Sequence, residues 1–181
     1  MKTLSEWLRE TPVETLYGAA ETPVGGLTYD SREVKPGDCF FTVVGTQADG
    51  HDYIGSAVQR GAAAVVCERM PERPAKGVAY VVVRDSAGAM ADLATAFYGH
   101  PSRELKLVGI TGTNGKTTTV TLLYDLVRAL GYRAGLISTV VYRIDGRAVE
   151  ATHTTPDPIR LNAMMREMVD AGCDYCFMEC S

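Results

Sequence analysis

Leu105-Lys106-Leu107-Val108-Gly109-Ile110-Thr111-Gly112-Thr113-Asn114-Gly115-Lys116-Thr117-Thr118-Thr119 passes from an apolar run through a glycine-rich turn into a helix-forming segment. The first six residues read as a β-strand, and Lys116 to Leu130 reads as a helix that stops at Gly131. Between them, small residues let the backbone wrap an anion closely. Consecutive N–H groups and the positive end of the helix supply the attraction. Lys116 can reach the terminal phosphates of a nucleotide, and the Thr117 hydroxyl can ligate magnesium, so Gly112, Thr113, Asn114, Gly115, Lys116, Thr117 and Thr118 are the candidate residues of an ATP site. The general pattern G-x-x-x-x-G-K-[ST] is not fully met, because Ile110 stands where its first glycine belongs. The competing reading is a glycine-rich turn that only caps a helix. A Gly-Lys-Thr triplet at a strand-to-helix junction favours nucleotide binding.

Downstream, Arg133 to Ser138 reads as the next strand, and Val140 to Thr152 contains the Asp145-Gly146 signal of a hairpin. Asp157 to Ala171 reads as a helix. The chain closes on an apolar strand, Tyr175-Cys176-Phe177-Met178-Glu179-Cys180-Ser181. A carboxylate at the carboxyl end of a parallel strand faces the ligand crevice, so Glu179 is a candidate magnesium ligand and catalytic group beside Lys116. A parallel sheet that stops at a strand edge reads as part of a larger domain.

Upstream the elements alternate. Leu4 to Arg9 reads as a short helix; Gly26 to Arg32 and Asp38 to Val44 read as strands around the turn Lys35-Pro36-Gly37. Asp52 to Arg60 looks helical, Ala62 to Cys67 and Val78 to Val83 are buried-strand runs, and Ser86 to Tyr98 is an Ala-rich helix capped by Ser86. Gly99 ends that helix and His100-Pro101-Ser102 cannot continue it, which puts a boundary near residue 100. The fold class is therefore α/β. A small mixed domain over residues 1–100 is followed, over 101–181, by the first part of a P-loop parallel-sheet ATPase domain.

The 181 residues, 46% hydrophobic and 22% charged, suffice for a real core. A formal charge of −4 without a long basic run argues against nucleic-acid or membrane partners, and a monomer is expected. The N-terminus mixes both charge signs where a signal peptide needs an apolar run, which points to a cytoplasmic protein. Cys173 and Cys176 have the spacing of a redox or zinc pair. Placed within one strand, however, residues three apart face opposite sides, so reduced structural thiols are the expectation for all five cysteines. His51, His100 and His153 share no spacing and read as loop or capping residues.

The segment Gly112-Thr113-Asn114-Gly115-Lys116-Thr117 resembles the P-loop variant of the Mur ligases and the related folylpolyglutamate synthases. Tyr29-Asp30-Ser31-Arg32 and Gly45-Thr46-Gln47-Ala48-Asp49-Gly50-His51 resemble the uridine-nucleotide-binding segments of MurE-type ligases. By chemistry alone, Ser31, Thr46 and Gln47 carry hydroxyl and amide groups suited to the edge of a uracil ring. Arg32 can reach a diphosphate or pair with Asp30. Read without the P-loop, these stretches would be ordinary turn and helix-start residues. The resemblance further implies that Ala48, Thr154, Thr155 and Ser181 belong to the site for UDP-N-acetylmuramoyl-L-alanyl-D-glutamate. His153-Thr154-Thr155-Pro156-Asp157-Pro158 by itself reads first as an N-cap with proline in the first turn.

What the resemblance implies is ATP-dependent amide-bond formation through an acyl phosphate, with ATP and Mg2+ as cofactors and meso-diaminopimelate or L-lysine as the incoming amino acid. It also implies that the rest of the sheet, a carbamylated lysine and the amino-acid-binding domain lie outside this chain, which should be inactive alone. Two other readings stay open. One is the ligase adding D-alanyl-D-alanine, against which Thr154-Thr155-Pro156-Asp157 speaks; the other is a non-catalytic UDP-sugar-binding module.

Overall fold

The computed structural model describes residues 3–45, 48–149 and 156–180, and the chain divides into two compact units, residues 1–97 and 98–181. In the first unit a five-stranded sheet has the order β1-β5-β4-β3-β2, built from β1 (Thr15–Tyr17), β2 (Leu27–Thr28), β3 (Cys39–Phe41), β4 (Ala64–Cys67) and β5 (Ala79–Val82). Strands β2 to β5 run parallel and β1 pairs antiparallel with β5. Every residue of β3 and β4 is buried, as expected of parallel strands covered on both faces. Phe40, Val65 and Tyr80 meet Ile54 and Ala57 of helix α2 (Ile54–Gln59) in one core cluster, while Trp7 of α1 (Leu4–Trp7) packs edge-on at 4.8 Å against Phe97 of α3 (Ser86–Phe97).

The strands read from sequence are longer than those observed, because side chains at their ends bond the backbone instead. Beyond Thr28, the Asp30 N–H donates to the Thr28 hydroxyl (3.1 Å) and the Asp30 carboxylate accepts from the Arg32 N–H (2.9 Å). That turn takes the backbone out of the ladder. The cap of α3 also differs from expectation. Asp85 accepts from the Ala87 and Gly88 N–H groups at 3.0 Å each, and Ser86, the first helical residue, is buried with its hydroxyl against the Thr42 carbonyl (3.0 Å). Asp outcompetes Ser here because a charged acceptor makes the stronger bond to orphan N–H groups.

In the second unit the sheet order is β6-β10-β7-β8-β9, from β6 (Lys106–Ile110), β7 (Ala134–Ile137), β8 (Tyr142–Ile144), β9 (Arg147–Val149) and β10 (Tyr175–Glu179). The last strand is not at an edge, as the sequence suggested; it lies between β6 and β7, parallel to both. Helices α4 (Lys116–Ala129) and α5 (Pro158–Asp170) cover opposite faces. Ala134, Leu136 and Phe177 pack with Val120 and Tyr124 of α4, whereas Ile137 and Cys176 pack with Met164, Met165 and Met168 of α5. Successive strand residues thus alternate between the two helices. The β8–β9 hairpin turns on Asp145 (φ 46°) and Gly146 (φ 87°), both in the left-handed region that a two-residue primed turn requires. The Asp145 carboxylate ties this turn to Arg128 at the end of α4 (2.5 Å) and to Arg133 before β7 (2.6 Å).

Cys173 and Cys176 are not on opposite faces of one strand. Cys173 precedes β10 and completes the end of α5: Gly172 (φ 76°) donates to the Val169 carbonyl and Cys173 to the Met168 carbonyl (2.9 Å), a Schellman cap whose outer residue turns inward. Both cysteines therefore enter the same apolar cluster. Both are free thiols, and burial pushes Cys176 up to about 12. Among the described residues no group of three or more His, Cys, Asp or Glu is placed to hold a metal ion, and no helix is long and apolar enough to cross a membrane.

Close contact between α5 and β7 depends on Gly135, where an added Cβ would lie 2.2 Å from the sulfur of the fully buried Met168 and 2.9 Å from its Cγ. Gly135→Ala should therefore destabilise the second unit by about 1–3 kcal/mol, the usual scale of overpacking. Chemical denaturation followed by a probe in this unit measures it, and an unchanged midpoint would refute the close-packing argument.

Candidate functional site

Glu179 is the last residue of β10, and its register partner on β6 is Ile110, the residue from which the glycine-rich turn departs. Insertion of β10 beside β6 thus sets a carboxylate under the turn. Gly112 has φ 142° and Gly115, the N-cap of α4, has φ 79°; both conformations favour glycine. Open space surrounds the position a Gly115 Cβ would take. Thr113, Asn114 and Thr118 are exposed around the turn. The first N–H groups of α4 have no partner within the helix, so the turn presents donors outward.

The Lys116 ammonium donates to the Gly112 carbonyl at 2.6 Å, folded back across the loop. The Thr117 hydroxyl donates to Glu179 Oε2 at 3.0 Å. The structure thus brings Lys116, Thr117 and Glu179 together from two elements more than sixty residues apart in sequence. It adds Thr139, whose N–H (3.2 Å) and hydroxyl (3.3 Å) reach the same Oε2. The Ser138 hydroxyl accepts from the Val141 N–H (3.1 Å) and fixes the turn that presents Thr139. Sequence reading missed Thr139; the available signal was a Ser-Thr pair at the carboxyl end of a neighbouring parallel strand.

Glu179 is buried, with 7% of its surface exposed. Burial pushes its carboxyl up, but the Thr139 N–H, the Thr117 and Thr139 hydroxyls and the Lys116 charge together hold it below the usual glutamate range. An ionised carboxylate beside a threonine hydroxyl is a hard-oxygen donor set. It fits magnesium, which takes one or two protein oxygens and completes its shell with water and phosphate.

In the first unit, Ser31 is buried and lines a cavity of about 380 Å3 with Tyr29, Asp30, Arg32 and Tyr53. The Arg32 guanidinium is engaged by Asp30 through Nε (2.9 Å) and Nη2 (2.6 Å), and this bond holds the Asp30 carboxyl low. Ala48 is exposed, its carbonyl accepts from the Gly45 N–H at 2.9 Å, and it does not line that cavity. Thr46, Gln47, Thr154, Thr155 and Ser181 lie outside the described residues. A larger cavity, about 530 Å3, lies between residues 11–14 and the start of α3, and none of the described candidate residues lines it.

Residues 23–98 match the Mur ligase family, catalytic domain, and residues 110–181 match the Mur ligase middle domain. The chain belongs to the Mur ligase family. Curated relatives over nearly its whole length are named UDP-N-acetylmuramoyl-L-alanyl-D-glutamate--2,6-diaminopimelate ligase. The protein of Bacteroides thetaiotaomicron is 48% identical over 98% of this chain, and that of Cytophaga hutchinsonii 52% identical over 91%. The chain spans only 37% and 34% of their lengths. A solved structure of a ligase with the same name superposes with TM-score 0.75 at 21% identity, over 97% of this chain and 36% of the other. MurF from Thermotoga maritima, solved in complex with ADP, gives TM-score 0.58 at 26% identity, over 87% of this chain and 32% of the other.

Because the folded Glu179 carboxyl is depressed, the stability it contributes is present above the ordinary glutamate range and is lost as pH falls through the folded value. Glu179→Gln should flatten the acid side of the stability profile, and Thr139→Val should raise the Glu179 titration seen by carboxyl NMR. An unmoved titration would mean that the Thr139 hydroxyl does not hold the carboxylate.

Proposed function

We propose that this chain is the part of a MurE-type ligase that holds the uridine nucleotide in its first unit and ATP in its second. The whole enzyme would join a third amino acid, meso-diaminopimelate in preference to L-lysine, to UDP-N-acetylmuramoyl-L-alanyl-D-glutamate in peptidoglycan precursor synthesis. The observation that carries the reading is the Thr117–Glu179 contact beneath the glycine-rich turn, in a chain 48% identical to relatives bearing that name. The preference for diaminopimelate rests on those relatives' names. A cytoplasmic location belongs to the same proposal, because the reaction draws on ATP.

In the proposed reaction a substrate carboxylate oxygen bonds to the terminal phosphorus of ATP as ADP leaves. The amine of the incoming amino acid then attacks the acyl carbon, phosphate departs, and the nitrogen loses a proton. The turn N–H groups and the start of α4 bind the phosphates. Lys116 exchanges the Gly112 carbonyl for phosphate oxygens and neutralises charge that builds during transfer. Thr117 and Glu179 would hold magnesium, which when bound offsets phosphate charge and orients the transferring group. Thr139 keeps Glu179 ionised and aimed. Ser31, Thr46, Gln47 and Ala48 bind the uridine end, and Thr154, Thr155 and Ser181 the peptide end.

Calorimetric titration with UDP-N-acetylmuramoyl-L-alanyl-D-glutamate, with UDP-N-acetylglucosamine for comparison, should give saturable binding. Ser31→Ala should weaken it about tenfold, the scale of one lost hydrogen bond. No binding by a demonstrably folded sample would count against the nucleotide-sugar assignment. In a full-length ligase carrying this sequence, Lys116→Ala should abolish ATP-dependent ligation while leaving uridine-nucleotide binding nearly intact, and loss of both would overturn the assignment of separate sites.

A further inference from the structure

The cavity of about 380 Å3 that Ser31 lines has two aromatic residues in its wall, Tyr29 and Tyr53, beside Asp30 and Arg32. Tyr29 to Arg32 follow β2 directly. Tyr53 comes from a different stretch of chain: it closes the 3-10 turn Gly50–Tyr53 that leads into α2. Two segments of the first unit thus converge on one concavity, and among the described residues Tyr53 is what the second segment contributes.

The inner wall itself points to a ligand. Ser31 is 8% exposed, yet its hydroxyl has no hydrogen-bond partner among the described residues. A buried hydroxyl that lines a cavity and meets no partner costs free energy until a bound group satisfies it. Tyr53 has the opposite character: its side chain is 46% exposed although the backbone that carries it is fixed on both sides. After it, Ile54 is buried in the cluster of Phe40, Val65 and Tyr80. Before it, Gly50 lies on the end of β3, where an added Cβ would fall 2.7 Å from the Thr42 backbone, and the Asp52 N–H donates to the Asp49 carbonyl (3.1 Å). An aromatic side chain on such a backbone has little freedom left to lose on binding, and it offers a flat apolar face with a polar tip. The Arg32 guanidinium is raised above its ordinary value by Asp30 first and by the Tyr53 phenol to a smaller degree, so the tip of the ring lies within electrostatic reach of Arg32.

We infer that Tyr53 is a ligand-contacting residue of the proposed uridine site: its ring stacks on the face of the uracil whose edge meets the Ser31 hydroxyl, while Arg32 serves the diphosphate. The inference rests on the assignment of a uridine nucleotide to the first unit and adds the residue that grips the base. Stacking tolerates any base, so Tyr53 supplies affinity and the edge contacts supply the choice of base. In sequence Tyr53 falls inside the helix read over Asp52 to Arg60, where nothing sets it apart.

Tyr53→Phe keeps the ring and loses the hydroxyl, and Tyr53→Ala loses both; the half-exposed side chain leaves the core untouched in either case. The 181-residue chain and both variants are titrated with UDP by calorimetry. The wild-type complex is also followed by NMR with isotope-labelled tyrosine, the Tyr53 ring signals being those absent from Tyr53→Ala. Tyr53→Ala should raise the UDP Kd about tenfold, the scale of one base–aromatic stack, and Tyr53→Phe should stay within about twofold of wild type. Nuclear Overhauser effects should connect the Tyr53 ring to the C–H protons of the uracil. A wild-type chain that binds UDP without those contacts, an unchanged Kd in Tyr53→Ala, or a loss in Tyr53→Phe as large as in Tyr53→Ala would overturn the stacking role. Failure of the wild-type chain to bind UDP would instead overturn the nucleotide assignment, and the inference with it.

Discussion

A carboxylate buried at the end of a central parallel strand constrains the second unit more than any other group. An ionised Glu179 with 7% exposure is tolerable only if donors surround it, and the chain supplies them from both neighbouring strand-to-loop junctions: Thr117 after β6 and Thr139 after β7. This arrangement exists because β10 enters between β6 and β7 instead of extending an edge. The α4 crossover leaves a gap one strand wide, and the α5 crossover fills it. The apolar alternation of β10, with Cys176 toward α5 and Phe177 toward α4, fixes the register. A slip of one residue would turn each of these side chains toward the opposite helix and move the carboxylate off the turn.

What could be read from the sequence separates along the same line. The glycine-rich turn was legible because its chemistry is contiguous: strand, small residues, Lys116, Thr117 and helix follow one another along the chain. Glu179 was legible as the polar end of an apolar strand. Thr139 was not, because its role arises only when β7 and β10 become neighbours, and a Ser-Thr pair by itself signals no more than a turn. The same holds for β1, three residues with exposed ends paired across the sheet edge to β5, where no periodicity accumulates. Two errors were local. Asp85 rather than Ser86 caps α3, and Cys173 turns out to be the outer residue of a helix cap, so the spacing of Cys173 and Cys176 was read with the wrong period.

The two units solve a similar problem with different means. In the second, a loop proposed to approach phosphate closely is built from glycine and left open, and its rigidity comes from the strand and helix at either end. In the first, the chain after β3 is held by polar side chains: Asp49 pairs with Arg69 and with the buried His51 imidazole. The difference suits the ligands proposed for each. Phosphate presents charge in all directions and is met by backbone N–H groups, whereas the edge of a base presents donors and acceptors in fixed directions and demands side chains held at set angles.

Arg32 illustrates how such a site can be held in reserve. Its guanidinium is largely exposed, yet it is paired in fork geometry with Asp30. A diphosphate that competes for Arg32 must break the guanidinium's charge-assisted bonds to Asp30 and leave that carboxylate with only the Arg32 backbone N–H among those contacts. Exposed pairs of this kind contribute little to stability, so the exchange is inexpensive. The Asx turn at Asp30 survives it, because the backbone bond does not depend on the guanidinium. Ser31 would then keep its place in the cavity wall whether or not Arg32 is engaged, so the residue proposed to read the ligand would be separate from the one that would neutralise it.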